Sequence, residues 1–459
     1  MSDRAEPSLQ QVFLYSLPAL PLAVLTLPFY ILIPSFYAQN LGLSLAAVGS
    51  ALLIVRLLDA LSDPMIGVLA DRWHPTFGRR RSWFALASIP AVMAAWFVFV
   101  PERGASSAYL TVWGAILSVS WTAITVPYAA WGAEMSTSYA GRARVVAWRE
   151  SFGVIGTVVA LSATAIVPLL GFSGQANVLL ALAVFVALGV PISVGLAVTR
   201  LPEPHDATST KINFRQGVAL LRENRPFVRL LSAFFLNGCG NGFPATLFLF
   251  FVTDRLRADN SAGPLLLLYF FCGIIGVPFW LWLARKTSKH RAWACGMIMA
   301  CVCFSAAPFL AAGQVWPFAL VCIGTGLALG ADLVLAPAIQ ADVIDVDTAN
   351  SGSQRAGLYF ALWGFATKLA LALAVGVAFP LLSWSGFDPA KHMHTEFGLA
   401  TLAVLYAIVP IILKIGAVKL VWNFPIDAEA QSLLRQRIEA SRQSSVSAFS
   451  AETQGGLSR

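Results

Sequence analysis

A chain of 459 residues that is 58% hydrophobic and only 12% charged, with a mean hydropathy of +0.72, carries about half the roughly 25% charged residues of a water-soluble protein. Too few ionised groups remain to solvate a globule of this size, which excludes a disordered chain, a fibre and an ordinary cytosolic enzyme and leaves the lipid bilayer as the solvent. The formal charge of +8 falls in short clusters between apolar runs and not along one face, so it points to membrane topology and not to nucleic acid.

The N-terminus has Asp3 and Glu6 ahead of its first apolar run, which lacks the basic flank of a signal peptide and is too long for one; it is expected to stay as the first span. A crossing takes about 20 mainly apolar residues. Such runs lie at about 12–38, 44–70, 83–100, 108–134, 147–170, 176–198, 226–252, 262–284, 292–312, 315–340, 356–384 and 396–420. They are continuous and not alternating, so an all-α membrane protein of twelve transmembrane helices is predicted, not a barrel. The longest polar connection, 199–225, divides the chain into a six-helix bundle over 1–198 and a second over 226–423. A polar tail, 424–459, opens on a short surface-helix pattern, DAEAQSLLRQRIEA, and ends in a Ser-rich stretch read as disordered.

With the N-terminus inside, the inner loops hold eighteen Lys and Arg, including Arg72, Arg79, Arg80, Arg81 and Arg355, against Arg103, Arg255, Arg257 and Lys391 outside. That bias predicts both termini in the cytoplasm of a cell whose plasma membrane, the inner membrane in a bacterium, holds the protein. The six cysteines lie inside apolar stretches of the second half with no CxxC and are read as packing residues. The five histidines fall in connecting segments, which leaves no intramembrane metal or imidazole site. No metal or cofactor is expected.

The halves look related. PMIGVLADRWHPTFGRRRSW from Pro64 and PFWLWLARKTSKHRAW from Pro278 share a proline, an apolar turn, an alanine, a basic cluster and a tryptophan in one order. Pro127, Ala133, Glu134 and Arg144 likewise match Pro337, Ala341, Asp342 and Arg355, so the expected architecture is two pseudo-symmetric bundles in parallel repeat, rocking about a midplane site.

Span 2 carries Arg56, Asp59 and Asp63 in RLLDALSDP. At 100° per residue they lie within about a 60° arc, one face of a helix, and Arg56 is about 15 Å below the outer end, too deep to snorkel. Carboxylates four residues apart sit roughly 6 Å from each other and repel by about 3 kcal/mol at an effective dielectric near 20. With Arg56 the trio is net negative by one charge, which one H⁺ or Na⁺ would cancel; the alternative is a purely structural Arg-Asp pair. Lys368 in ALWGFATKLALALA and Asp332 in LALGADLVLAP are also deep. Each costs about 2.5 to 3.5 kcal/mol at mid-depth and should face a cavity and a partner; whether they pair with each other is open. Arg149 and Glu150, at the inner end of span 5, are either snorkelling or functional. Pro18, Pro21, Pro28 and Pro34 make span 1 the candidate to line a path, and Tyr128 and Trp363 lie near the deep charges.

The strings RLLDALSDPMIGVLADR...GRRRSW, VPYAAWGAEM...RARVVAWRESFG and APAIQADVIDVD...QRAGLYFALWGFATK resemble the glycoside-pentoside-hexuronide:cation symporter family of the major facilitator superfamily, across both halves and in the same order. The resemblance implies the major facilitator fold and alternating access. It implies cation ligation by Asp59, Asp63 and Thr122, with Ser62 and Thr125 as further oxygens. Solute contact falls to Arg149 and Lys368, and an inner gate to Gly67, Asp71 and Arg72 working against Arg355. Where that family carries a span 4 aspartate this chain has Thr125, and where it carries a span 1 aspartate it has Ala23. One Na⁺ ligand and one acceptor for sugar hydroxyls are thus lost.

The function expected is a cation-coupled symporter of a sugar, glycoside or hexuronate, driven by H⁺ in preference to Na⁺ and working as a monomer, with Tyr128, Trp363 and Asp332 beside the solute. A carrier of lysophospholipids or other amphipaths is the second reading. A membrane enzyme or channel is disfavoured, because no His or Cys/His set lies within the spans and Arg56 with Asp59 would plug a pore.

Overall fold

The computed structural model describes residues 7–72, 78–136, 139–202, 224–351, 356–389 and 395–425. Among them twelve helices are long and apolar enough to cross a membrane, and none is a strand. In the first half these are α1 (Leu9–Gln39), α2 (Leu45–Arg72), α3 (Arg79–Phe99), α4 (Ser107–Glu134), α5 (Tyr139–Leu169) and α6 (Gln175–Arg200). In the second half they are α7 (Arg225–Arg255), α8 (Ala262–Lys286), α9 (Lys289–Ala306), α10 (Val315–Ser351), α11 (Ala356–Trp384) and α12 (Glu396–Val421). Twelve crossings return the chain to the side on which it starts, the termini side of the molecule.

Local chemistry sets the helix ends. Ser8 and Gln11 form a reciprocal cap on α1. Helical hydrogen bonding then breaks at Leu17 and Pro18, since proline has no N–H to donate. Asn224 caps α7 by accepting from the Phe227 amide at 3.0 Å. The turn joining α5 to α6 relies on Gly171 and Gly174, at φ +91° and +98°, a region closed to side chains with a Cβ.

Several helices outrun their apolar stretches. α5 begins at Tyr139 and α10 runs on to Ser351. α9 begins at Lys289, so His290 is helical and buried, its Nε2 3.3 Å from the Ser288 hydroxyl, and does not lie in a connecting segment as expected. The other four histidines, the middle of the 199–225 connection and the tail beyond 425 are outside the described residues.

Packing repeats with an offset of six. α1 packs on α5, α2 on α4, α3 on α4 and α6; likewise α7 packs on α11, α8 on α10, α9 on α10 and α12. This is the parallel repeat expected from the sequence. Phe309, Trp316 and Trp384 are 85%, 85% and 77% exposed at the ends away from the termini, a girdle of rings that suits a membrane interface and not water.

The halves meet through α2 with α11, α5 with α8 and α1 with α7. On the side away from the termini this seam is tight. A Cβ on Gly263 of α8 would come within 2.5 Å of the Thr164 carbonyl oxygen of α5, and one on Gly49 of α2 within 2.8 Å of Phe379 on α11. Gln39 of α1 donates to Thr253 of α7 across the same edge, at 3.3 Å.

Seam glycines and bundle glycines should therefore fail differently. Gly326→Val, whose Cβ would lie 2.3 Å from the Tyr269 carbonyl oxygen within the second half, should lower the thermal unfolding temperature by an overpacking cost of about 1–3 kcal/mol. Gly263→Val should instead part the seam, raising the reactivity of a cysteine placed at 253 toward a bulky maleimide while largely sparing the melting temperature. Unchanged reactivity would show that the seam does not govern closure.

Candidate functional site

α2 turns Asp59 and Asp63 toward α4 and α11, and Arg56 toward Tyr30 and Phe29 of α1. Lys368 of α11 seats its ammonium between the two acids, donating to Asp63 Oδ1 at 2.7 Å and lying 3.0 Å from Asp59 Oδ1. Thr122 of α4, fully buried, has its hydroxyl 2.8 Å from Asp63 Oδ1 and 3.1 Å from Asp59 Oδ1. That hydroxyl has one proton, so it can donate to only one of the two at a time. Arg56 lies 3.9 Å from Asp59 Oδ2, donates to the Tyr30 hydroxyl at 2.7 Å, and places its guanidinium carbon 3.7 Å from the Tyr30 ring centroid. The aromatic face shields a charge that could not otherwise stay at this depth.

With Lys368 docked, two cations face two carboxylates and the cluster is neutral. The single negative charge inferred from span 2 alone is thus cancelled by the protein's own lysine. Access is graded: the Arg56 and Asp59 side chains are 6% and 3% exposed, whereas those of Asp63 and Lys368 are 32% and 19% exposed. Asp63 is therefore the more open of the two acids.

The expected hydroxyl ligands separate. Ser62 donates to the Asp59 carbonyl and Thr125 to the Trp121 carbonyl, each closing back on its own helix. Thr125 faces a different space, a cavity of about 440 Å³ between α1, α4 and α5. Its polar lining comes from Thr26, Trp121, Thr125, Arg149, Glu150 and Thr157, so span 1 does line a cavity. This volume lies within the range of small-molecule sites. Arg149 is paired with Glu150 at 2.5 Å and brings no net charge. Tyr128 also lines the cavity, but its hydroxyl is committed to the Tyr15 carbonyl, and the Tyr15 hydroxyl to that of Tyr128.

Three other expectations are redistributed. Lys368 contacts the carboxylates and does not line the Arg149 cavity. Trp363 is stacked on Phe234, their centroids 3.7 Å apart, and does not line the Arg149 cavity. Asp332 does not pair with Lys368: it accepts from Asn237, Asn241 and Trp293 at 2.9, 2.8 and 2.6 Å inside the second half. Lys414 of α12 completes that cluster and is not among the deep charges singled out from the sequence. Its signal is a lone cation in the apolar run IILKIGAV. Of the gating residues, Arg355 lies outside the described residues; Gly67, Asp71 and Arg72 belong to the last turns of α2, whose side chains there are outside the description.

A family described as MFS/sugar transport protein matches residues 14–428. The chain belongs to this family. Among its relatives is a sodium-dependent lysophosphatidylcholine symporter of Homo sapiens, 24% identical over 440 residues that cover 88% of this chain and 80% of the relative. Another is an isoprimeverose transporter of Lactiplantibacillus pentosus, 22% identical over 398 residues that cover 82% and 80%. The crystal structure of the nucleoside transporter NupG superposes with a TM-score of 0.65 at 13% identity, covering 90% of this chain and 98% of the other, and so shares the fold. The protein is an integral membrane transporter of the major facilitator superfamily.

Thr122 separates hydrogen bonding from packing at the cluster. Thr122→Val should lower thermal stability by about 1–3 kcal/mol, because carboxylate oxygens lose a buried donor, while Thr122→Ser should stay near wild type. Equal melting temperatures for Val and Ser would show that the hydroxyl contributes nothing there.

Proposed function

We propose that the protein is a cation-coupled symporter that carries an uncharged sugar or glycoside by alternating access, with Asp59 and Asp63 as coupling carboxylates and Lys368 as their resident counter-ion. One observation carries this reading: the Lys368 ammonium of the second half rests on carboxylates of the first, so the bond that neutralises the cluster also ties the halves together. A cation taken up at Asp63 competes for the same oxygens. It loosens Lys368 from Asp63, so that ion uptake acts directly on the bond that ties α2 to α11.

The side carrying the termini is read as cytoplasmic, from the distribution of Lys and Arg. The Arg149 cavity runs from mid-depth toward that side, and the seam away from it is closed. The state is then inward-facing. For the ion, the choice is H⁺. Na⁺ needs a shell of several oxygens, and with Ser62 and Thr125 turned away the side-chain set narrows to Asp59, Asp63 and Thr122. A proton needs one carboxylate. The name of the sodium-dependent relative is the argument for the other ion.

For the solute, an aromatic indole, several hydroxyls and an internally paired Arg149–Glu150 suit a molecule rich in hydroxyls and without net charge. Paired donors and acceptors can serve sugar hydroxyls in both senses. The anionic reading loses its support, because Arg149 and Lys368 both have carboxylate partners. An amphipathic solute is kept open by the lysophosphatidylcholine relative.

Proteoliposomes offered labelled methyl glycosides, glucuronate and lysophosphatidylcholine should accumulate a glycoside when an inward proton gradient is imposed at clamped voltage. They should not respond to an inward Na⁺ gradient at fixed pH. Accumulation that follows Na⁺ would reverse the choice of ion, and movement of lysophosphatidylcholine alone the choice of solute. In a thermal-shift titration with the transported glycoside, Arg149→Gln should weaken binding about tenfold, by unpairing Glu150 within the cavity. Wild-type affinity would return Arg149 to a structural role.

A further inference from the structure

The second half encloses a cavity of about 210 Å³ that is separate from both the Lys368 cluster and the Arg149 cavity. All six spans of that half line it, with Ile31 of α1. Its walls are apolar, as at Phe248, Leu266, Phe304 and Ala328, and one part is polar, formed by Asn241, Asp332 and Lys414. Lys414, 2% exposed, donates to the side-chain oxygens of Asn237 and Asn241, each at 2.7 Å. The nitrogens of the same amides donate to Asp332, so the two ionised groups are joined in a ring through neutral amides. The ring has no net charge, and a charged guest would enter without a counter-ion, which the interior penalises heavily.

What the ring leaves over are donors. Lys414 has three N–H groups and two partners. Tyr269 and Tyr406 line the cavity, and neither hydroxyl has a hydrogen-bond partner among the described residues. Tyr406 lies in a π turn of α12, Val404–Ile408, and stacks at 4.3 Å on Phe251, which opens a π turn of α7, Phe251–Arg255. Such turns interrupt helices at a cost and recur at functional sites. Donors on the wall of a cavity can take their acceptor from whatever fills it.

We propose that this cavity is a second binding site, which takes an uncharged, largely apolar molecule or moiety and holds it by an acceptor oxygen. An apolar cavity of about 150 Å³ takes up benzene, so the space here suits on the order of ten non-hydrogen atoms. A carbonyl, ether or ester oxygen at one end would meet the Tyr269 and Tyr406 hydroxyls and the spare Lys414 N–H. An ammonium would bring in a charge without a counter-ion, since the ring is already neutral, and is disfavoured. The site is independent of the coupling cluster and stands whether the coupling ion is H⁺ or Na⁺.

Fluorine NMR of the full-length protein in lipid nanodiscs, with empty nanodiscs as reference, tests this using 4-fluoroacetophenone and its acceptor-free analogue 1-ethyl-4-fluorobenzene. The ketone should bind saturably and about tenfold more tightly than the hydrocarbon once partitioning into lipid is subtracted. Tyr269→Phe combined with Tyr406→Phe should erase that preference, and Ala328→Leu should weaken both probes by filling the space. Signals matching empty nanodiscs would overturn the proposal and leave the cavity to water, and equal affinities would make it an apolar void. The wild-type comparison of the two probes decides even where a variant does not fold.

Discussion

An ammonium held between two carboxylates at mid-depth in a bilayer is the interaction on which the rest of this molecule depends. Lipid cannot solvate Asp59, Asp63, Arg56 or Lys368, and each must find its counter-charge within the protein. Two of the four come from α2 as acids and one from α11 as a base, so neutralising the cluster obliges α2 and α11 to stay together. The tight glycine contacts at Gly49 and Gly263 close the seam on one side of that bond. The Arg149 cavity lies toward the other side.

The second half solves the same problem differently. Asp332 and Lys414 do not touch; Asn237 and Asn241, one helical turn apart on α7, pass the interaction between them. Each carboxylate oxygen there already has a donor, and Lys414 is sealed. That pair is built to persist. The Lys368 pair shares oxygens with Thr122 and has its outer members partly open, so it is built to change partners. The two halves share one scaffold at an offset of six spans, and in the proposed cycle they divide the work between a fixed ion pair and an exchangeable one.

The twelve spans were legible because a crossing needs a long apolar run, and few features of a soluble protein imitate that. The shared face of Arg56, Asp59 and Asp63 was legible because helical geometry converts spacing into direction. Partner choice was not. Lys368 and Asp63 are 305 positions apart in sequence, and nothing local distinguishes Asp63 from Asp332 as the acid that Lys368 will meet. Ser62 and Thr125 looked like cation ligands by position, yet a hydroxyl on a membrane helix has a carbonyl of its own helix within reach, and both took it. Lys414 was overlooked because it lies seven residues from the end of α12, where a lysine ordinarily reaches the interface; the two amides of α7 hold it inside instead.

In the proposed cycle a resident lysine also has a thermodynamic role. It lets the carrier turn around empty, because the unloaded cluster is neutral without any ion from solution. Removing the ammonium would leave a net negative cluster that can cross mid-depth only when loaded. Exchange of labelled for unlabelled glycoside needs loaded carriers alone, whereas net uptake needs the empty return. The decisive measurement is therefore the ratio of the two in proteoliposomes carrying Lys368→Met. A resident counter-ion predicts that exchange persists while net uptake falls to background, and net uptake surviving alongside exchange would contradict it.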